Sequence, residues 1–467
     1  MSSSAEQEKQ QLIASIRQQL LAQSSEASAT FIGEFFANQR SASGWRQALA
    51  ELFANADEAA VSDRHSLPTL QLRLSEAADC LVVACAEAAG FTSADVRAVC
   101  ALGSSGKPPV CGLWRGFGFR SVLEASHCPE IHSNGFHFGF ELDSQQPLSC
   151  LLPVWLGVSS RWGRQIGDLD DCGVIIVLPL RPEVQSALLH SGGLASAVDP
   201  RWLLCASRLR RLVVKDAAAG VYQSYELRLL SNGCEAVIDR RTRDFCDVEL
   251  KPTGSERWVF FDGGAGDLQL AVPAEPEVVA AADGGFFVAP SAGLPLLRGC
   301  GLRFLACSPA GLLRVDSARQ QLLAASVSQE NADLLTDRLP RLFAGHAAAW
   351  SFDDPDASAR LAAYIAAIPC AGSWPSPAWQ PPCTACWPAP TGCPPMPARL
   401  PAYTRLPACS STCPTPSAQP RPPGCAATSC RLVSNAARAG SPASGAANSR
   451  PVSDCANSDC NSWPSRC

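Results

Sequence analysis

Glu51, Asn55 and Glu58 stand four and then three residues apart in the stretch Glu51-Leu52-Phe53-Ala54-Asn55-Ala56-Asp57-Glu58. At about 3.6 residues per turn, this spacing stacks a carboxylate, an amide and a second carboxylate on one stripe of a helix. Trp45, Leu49, Leu52 and Phe53 form a separate apolar stripe suited to face a core. The polar row can do chemistry: Glu51 can orient or deprotonate a water, and Asn55 can lend its carbonyl oxygen to a Mg²⁺ that bridges phosphates. A solvated helix face would carry the same residues.

A second group of residues follows downstream. Leu102-Gly103-Ser104-Ser105-Gly106-Lys107 precedes Gly112-Leu113-Trp114-Arg115-Gly116-Phe117-Gly118-Phe119-Arg120-Ser121-Val122. Glycines this dense, set before an apolar helix-forming run, let backbone N–H groups approach an anion at a helix N-terminus. Lys107 is one of only four lysines in the chain.

The elements that must position these groups are legible at low resolution. Residues 5–62 read as two or three helices, the last carrying the Glu51 row. Residues 69–74, 81–84, 136–141 and 174–180 read as strands, with helices over 93–102, 118–125, 182–190 and 200–208 and a further strand at 211–215. Strands with helices on one face predict a two-layer α/β sandwich. Short alternating strands follow (225–229, 235–238, 247–250, 257–261), and the pattern turns helical over 317–348.

The order of these motifs resembles the GHKL ATPases, and within them the sacsin and NO VEIN-like branch. The residues carrying the likeness are 51–59, 90–107, 112–122, 128–141, 151–156 and 174–180, and a weaker likeness runs on to about residue 350. The resemblance implies a nucleotide-binding domain over 1–215, a smaller α+β transducer-like region over 216–365, and ATP and Mg²⁺ as cofactors. It implies Glu51 as the general base and Asn55 as the Mg²⁺ ligand, with Glu58 near the nucleotide. Gly112, Gly116 and Gly118 would form the phosphate-facing loop, with Lys107 in a lid before it. Such proteins couple nucleotide binding to lid closure and act on protein clients or partners.

Two positions depart from the pattern. Where the family places an acid or amide that reads the adenine amino group, this chain has Ala86, with Glu87 one residue away. A one-residue slip in a strand turns the side chain to the other face, so Glu87 substitutes only if the turn is rebuilt. Val174 stands where relatives often carry a threonine touching the same base. The sequence therefore supports two expectations: an ATP-binding and slowly hydrolysing domain, or a degenerate pseudo-ATPase serving as a scaffold. Arg298 and Arg303 are candidates for sensing the γ-phosphate, or ordinary surface arginines.

Composition sets the outer bounds. The chain has 467 residues and a net charge of -5, which argues against direct nucleic-acid binding. No apolar run approaches the length of a membrane span, and the polar start is unlike a secretory or organellar leader. The expected location is intracellular, in cytoplasm or nucleus. Of 23 cysteines, 12 lie singly before residue 370 and read as small buried hydrophobes. His127, His132 and His137 cluster within 126–138 and suggest a metal or proton-transfer role or, as in the matching family strand, a structural one. Residues 366–467 hold 20 of the 37 prolines and no lysine or histidine. They read as a disordered low-complexity tail, a composition that translated non-coding sequence would also give.

Overall fold

The computed structural model describes residues 4–23, 44–61, 67–101, 118–143, 146–157, 169, 171–230, 234–244, 249–262, 268–275, 286–289, 294–295, 304–309, 328–339 and 341–342. All belong to one unit, Met1–Met396.

The first helices are α1 (Ser4–Gln23), α2 (Gly44–Ala59) and α3 (Ser93–Cys100). α4 (Val122–Ala125) continues a 3-10 turn at Gly118–Ser121, and α5 (Pro182–His190), α6 (Leu194–Ala197) and α7 (Gln329–Asp333) follow. The strands are β1 (Thr69–Leu74), β2 (Cys80–Ala86), β3 (Glu130–Ser133), β4 (Phe136–Gly139), β5 (Val154–Trp155), β6 (Cys172–Pro179) and β7 (Arg211–Asp216). Beyond them run β8 (Val221–Leu229), β9 (Glu235–Asp244), β10 (Lys251–Asp262), β11 (Gln269–Pro273), β12 (Phe286–Ala289), β13 (Leu294–Pro295) and β14 (Leu305–Pro309).

All of these strands join one 14-stranded mixed sheet, in the order β13-β12-β14-β11-β10-β9-β8-β7-β1-β2-β6-β3-β4-β5. This corrects the expected two-layer α/β sandwich with a separate smaller region. Among the described residues the large sheet dominates and the helices are few. The cause lies in successive antiparallel pairings: β8 pairs with β7, β9 with β8, β10 with β9 and β11 with β10. The inward residues of these strands, including Tyr225, Leu227, Ala236, Ile238, Trp258 and Ala271, join the same core as α2, β1 and β7. Their period-2 alternation thus extends an existing hydrophobic face instead of founding a second one. The expected boundary at 215/216 falls within β7, one residue before the turn to β8.

Alternation also sorts the two faces of β1. Leu70, Leu72 and Leu74 enter the main core, while Gln71 and Arg73 point the other way and are only half-buried. On that second face Cys80, Val82, Ala84, Leu169, Ile175 and Val177 form a small cluster of their own. Farther along it, Arg73, Lys215, Tyr222 and Arg243 line up across four strands, and Lys215 and Arg243 lie over the Tyr222 ring at 5.5 and 4.2 Å.

Local differences from expectation are modest. Pro200–Cys205 is a 3-10 helix with Pro near its start, capped by Asp199, which accepts the Arg201 N–H at 2.9 Å. Within the expected 317–348 helix, the described part runs from Gln329 and includes a π-helical stretch at Leu334–Arg338. No helix among the described residues is long and apolar enough to cross a membrane.

Candidate functional site

α2 forms as its spacing requires. Trp45, Leu49, Leu52, Phe53 and Ala56 are buried in the core, and Phe53 meets Trp202 edge to face at 5.5 Å. On its polar side Glu51 and Gln47 are each 8 % exposed, while Asn55 and Glu58 are half-buried. Gln47 Nε2–H donates toward Glu51 Oε1 at 3.5 Å, one turn away.

The start of the helix is fixed by a close approach. A Cβ on Gly44 would lie 1.2 Å from Glu124 Oε2, so a larger residue there would make the Glu124 carboxylate swing aside. Glu124 thereby places negative charge at the positive end of the α2 dipole. α2 packs against both the 118–121 turn and α4, so the Glu51 helix and the segment after the glycine stretch are neighbours. Arg120 anchors that segment from below. It is fully buried, its guanidinium donates to the carbonyls of Val99 and Cys150, and it lies 4.8 Å from the Phe140 ring centre. Burial lowers its pKa.

The C-terminal end of α2 is held more firmly still. Asp57 is 1 % exposed, and its carboxylate accepts the backbone N–H groups of Ser207, Arg208 and Leu209 at 2.9, 2.8 and 2.7 Å. Arg208 Nη1 donates to the carbonyls of Glu58 at 2.7 Å and Ala60 at 3.2 Å, satisfying groups that a helix end leaves open. The turn after β2 closes on the same end: Val61 N–H donates to the Glu87 carbonyl at 2.7 Å, and Ala89 N–H to the Ala59 carbonyl at 2.9 Å. Glu87 adopts φ 56°, a left-handed conformation uncommon for a non-glycine residue, and its side chain is exposed. The structure thus brings the Glu58 and Glu87 segments together.

Ala86 ends β2, half-buried, and Val174 is buried opposite Cys85 on β6. The register slips between Cys85 and Ala86, where Gly173 admits the Ala88 carbonyl to within 2.1 Å of where a Cβ would lie. The Cys85 thiol is pushed up to about 12 by burial, with Cys172 and Asp57 adding to the effect. This end of the β2–β6 pair is apolar.

Of the other expected site residues, Lys107, Gly112 and Gly116 lie outside the described residues, as do Arg298 and Arg303. Gly118 is the first residue of the 3-10 turn beside α2. Among the histidines, His132 and His137 sit opposite each other on β3 and β4, with Nδ1 atoms 3.0 Å apart and Glu130 Oε2 3.4 Å from His132 Nε2. Burial lowers the pKa of His137; His132 and Lys9 push the same way and Glu6 opposes. No group of three or more metal-ligating side chains occurs among the described residues.

Two residues of this region escape a reading of the sequence alone. Gln47 lies four residues before Glu51, so the helical period carried a signal for it. Asp57 lies off the Glu51–Asn55–Glu58 stripe, and its partners come from about 150 positions further along the chain.

Comparison with known proteins adds one relationship. The chain is similar to Protein NO VEIN of Arabidopsis thaliana. The two are 32 % identical over 180 residues, which is 36 % of this chain and 6 % of the plant protein. The matched part is thus a small fraction of that relative's length. No protein-family model matches the chain.

Proposed function

We propose that this NO VEIN-like chain binds and slowly hydrolyses ATP in the manner of the GHKL ATPases, with closure of a lid over the nucleotide driving a chaperone-type conformational change. The observation that carries the reading is the row on α2: a buried Glu51 on one stripe with Asn55 and Glu58, packed beside the turn that follows the glycine stretch.

Glu51 takes the proton of the attacking water, and its burial keeps that proton from being exchanged freely with solvent. Asn55 has the hard amide oxygen suited to Mg²⁺, and the residue is half-buried. Mg²⁺, when bound, neutralises charge on the phosphates and on the leaving oxygen. Glu58 and Glu87 flank the nucleotide from the end of α2 and the turn bonded to it. Lys107, Gly112, Gly116 and Gly118 supply the phosphate-facing loop and lid. Residues 1–215 handle the nucleotide, and 216–365 receive the change through the sheet that continues from β7.

A specific observation favours a second reading, a pseudo-ATPase scaffold: the apolar pair of Cys85 and Val174 beside Ala86, where a base would need polar contacts. A thermal melt of the full chain with Mg²⁺-ATP separates the two. A ligand at about one hundred times its Kd stabilises the folded state by about 2.7 kcal/mol, which a melt resolves readily. Stabilisation supports the ATPase reading. An unmoved melt at millimolar nucleotide leaves the scaffold.

A further inference from the structure

Gln47 is buried with half of its amide unsatisfied. It is 8 % exposed, and its Oε1 has no hydrogen-bond partner. The other half is engaged, since Nε2–H donates toward Glu51 Oε1 at 3.5 Å. That contact fixes which way the amide points, because turning it over would set its oxygen against a carboxylate oxygen. A buried acceptor without a donor carries its full desolvation penalty, which an apolar side chain of the same length would avoid. The orphaned oxygen lies one helical turn from Glu51 on the side of α2 that bears the catalytic row.

We propose that Gln47 is a positioning residue for the attacking water, an inference that rests on Glu51 acting as the general base. The water gives one hydrogen to the Glu51 carboxylate and the other to Gln47 Oε1. Two acceptors on one helix would hold both of its hydrogens and leave an oxygen lone pair free for attack. In the step itself the water oxygen bonds to the γ-phosphorus and its proton passes to Glu51. The bond from that phosphorus to the bridging oxygen breaks, and the electron pair leaves on ADP. Gln47 exchanges no proton; it lowers the freedom of the nucleophile.

The test is Gln47→Met in the full chain, a change that keeps the length of the side chain and removes both the acceptor and the Nε2–H that donates toward Glu51. Three readings are taken besides turnover: the melt without nucleotide, the affinity for Mg²⁺-ATP, and the affinity for Mg²⁺-ADP with aluminium fluoride, which mimics the transition state with its nucleophilic water in place. The melt is expected to hold, because removing an unsatisfied buried oxygen offsets the loss of the long Nε2–H donation to Glu51. ATP affinity should stay within about twofold, while the aluminium fluoride complex weakens about tenfold, the loss expected for one hydrogen bond. The turnover number falls and KM holds. A lower melt with both ligands weakened equally would make Gln47 structural and overturn the assignment. Unmoved affinity for the aluminium fluoride complex in a wild type that binds ATP would overturn it alone, whereas a wild type that binds neither ligand overturns the ATPase reading and the Gln47 role together.

Discussion

The carboxylate of Asp57 accepts the backbone N–H of Leu209 at 2.7 Å, tying the last turn of α2 to the chain that leads into β7. With Ser207 and Arg208 also donating, one buried side chain satisfies three backbone groups of a loop that has no regular structure to do so. Asp57→Ala removes the acceptor from all three. Charge-assisted hydrogen bonds and the penalty for stranded buried donors put the loss at about 3 kcal/mol or more. Asp57→Asn keeps one acceptor oxygen and should lose about half as much. Chemical denaturation of both variants checks the order; equal stability of the alanine variant and the wild type would mean that water replaces the carboxylate.

Glu51 and Asn55 are expected to fail in different ways. On the proposed reading, Glu51→Ala abolishes turnover and leaves ATP binding nearly unchanged, because a general base acts on the water and not on the nucleotide. Asn55→Ala weakens binding in the presence of Mg²⁺ and changes little in its absence. Calorimetric titration with and without the metal distinguishes them, and equal losses of binding in both variants would reduce the row to a structural face.

The apolar Cys85–Val174 pair beside Ala86 predicts weak discrimination between bases. Affinity then comes from the triphosphate and metal, so ATP and GTP bind within a few-fold of each other. A carboxylate that read adenine would instead reject guanine strongly, since its oxygens would face a carbonyl in place of an amino donor. Ala86→Asp should raise ATP affinity selectively by up to about tenfold, the value of one good hydrogen bond. Competition between the two nucleotides on both proteins measures this, and a strong native preference for ATP would assign base reading to another residue, such as Glu87.

Acid should destabilise the protein through His137. Its pKa lies below the usual 6.5, chiefly from burial, so the unfolded chain takes up a proton that the folded chain refuses. Below pH 6.5 the unfolded state therefore binds more protons, and stability falls as the pH drops; above that value this contribution disappears. The melting temperature is expected to be lower at about pH 5.5 than at about pH 7.5, and His137→Gln should shrink the difference. A variant that keeps the whole difference would place its origin elsewhere.

Local physics made parts of the site readable from the residues. The spacing of Glu51, Asn55 and Glu58 needs only the helical period to share a stripe, and Trp45, Leu49, Leu52 and Phe53 announce which side is buried. The strands at 69–74 and 174–180 likewise declare themselves by apolar content. The closeness of His132 and His137 in the chain was visible in the sequence, while their 3.0 Å approach depended on the cross-strand register.

What the sequence determined by itself was therefore the local periodicity: which residues lie on one face of α2 and where strands begin. Tertiary structure alone decided how far the sheet extends, because strands after β7 with the same alternation can found a second core or widen the first. It also decided that Asp57 would clamp residues 207–209 and that the turn at Glu87 would close on the end of α2, since those contacts join segments about 30 to 150 residues apart. The burial of Gln47 belongs to the same class. A glutamine one turn before a glutamate reads as a surface pair until packing removes the water around it, and only then does its unpartnered oxygen acquire meaning.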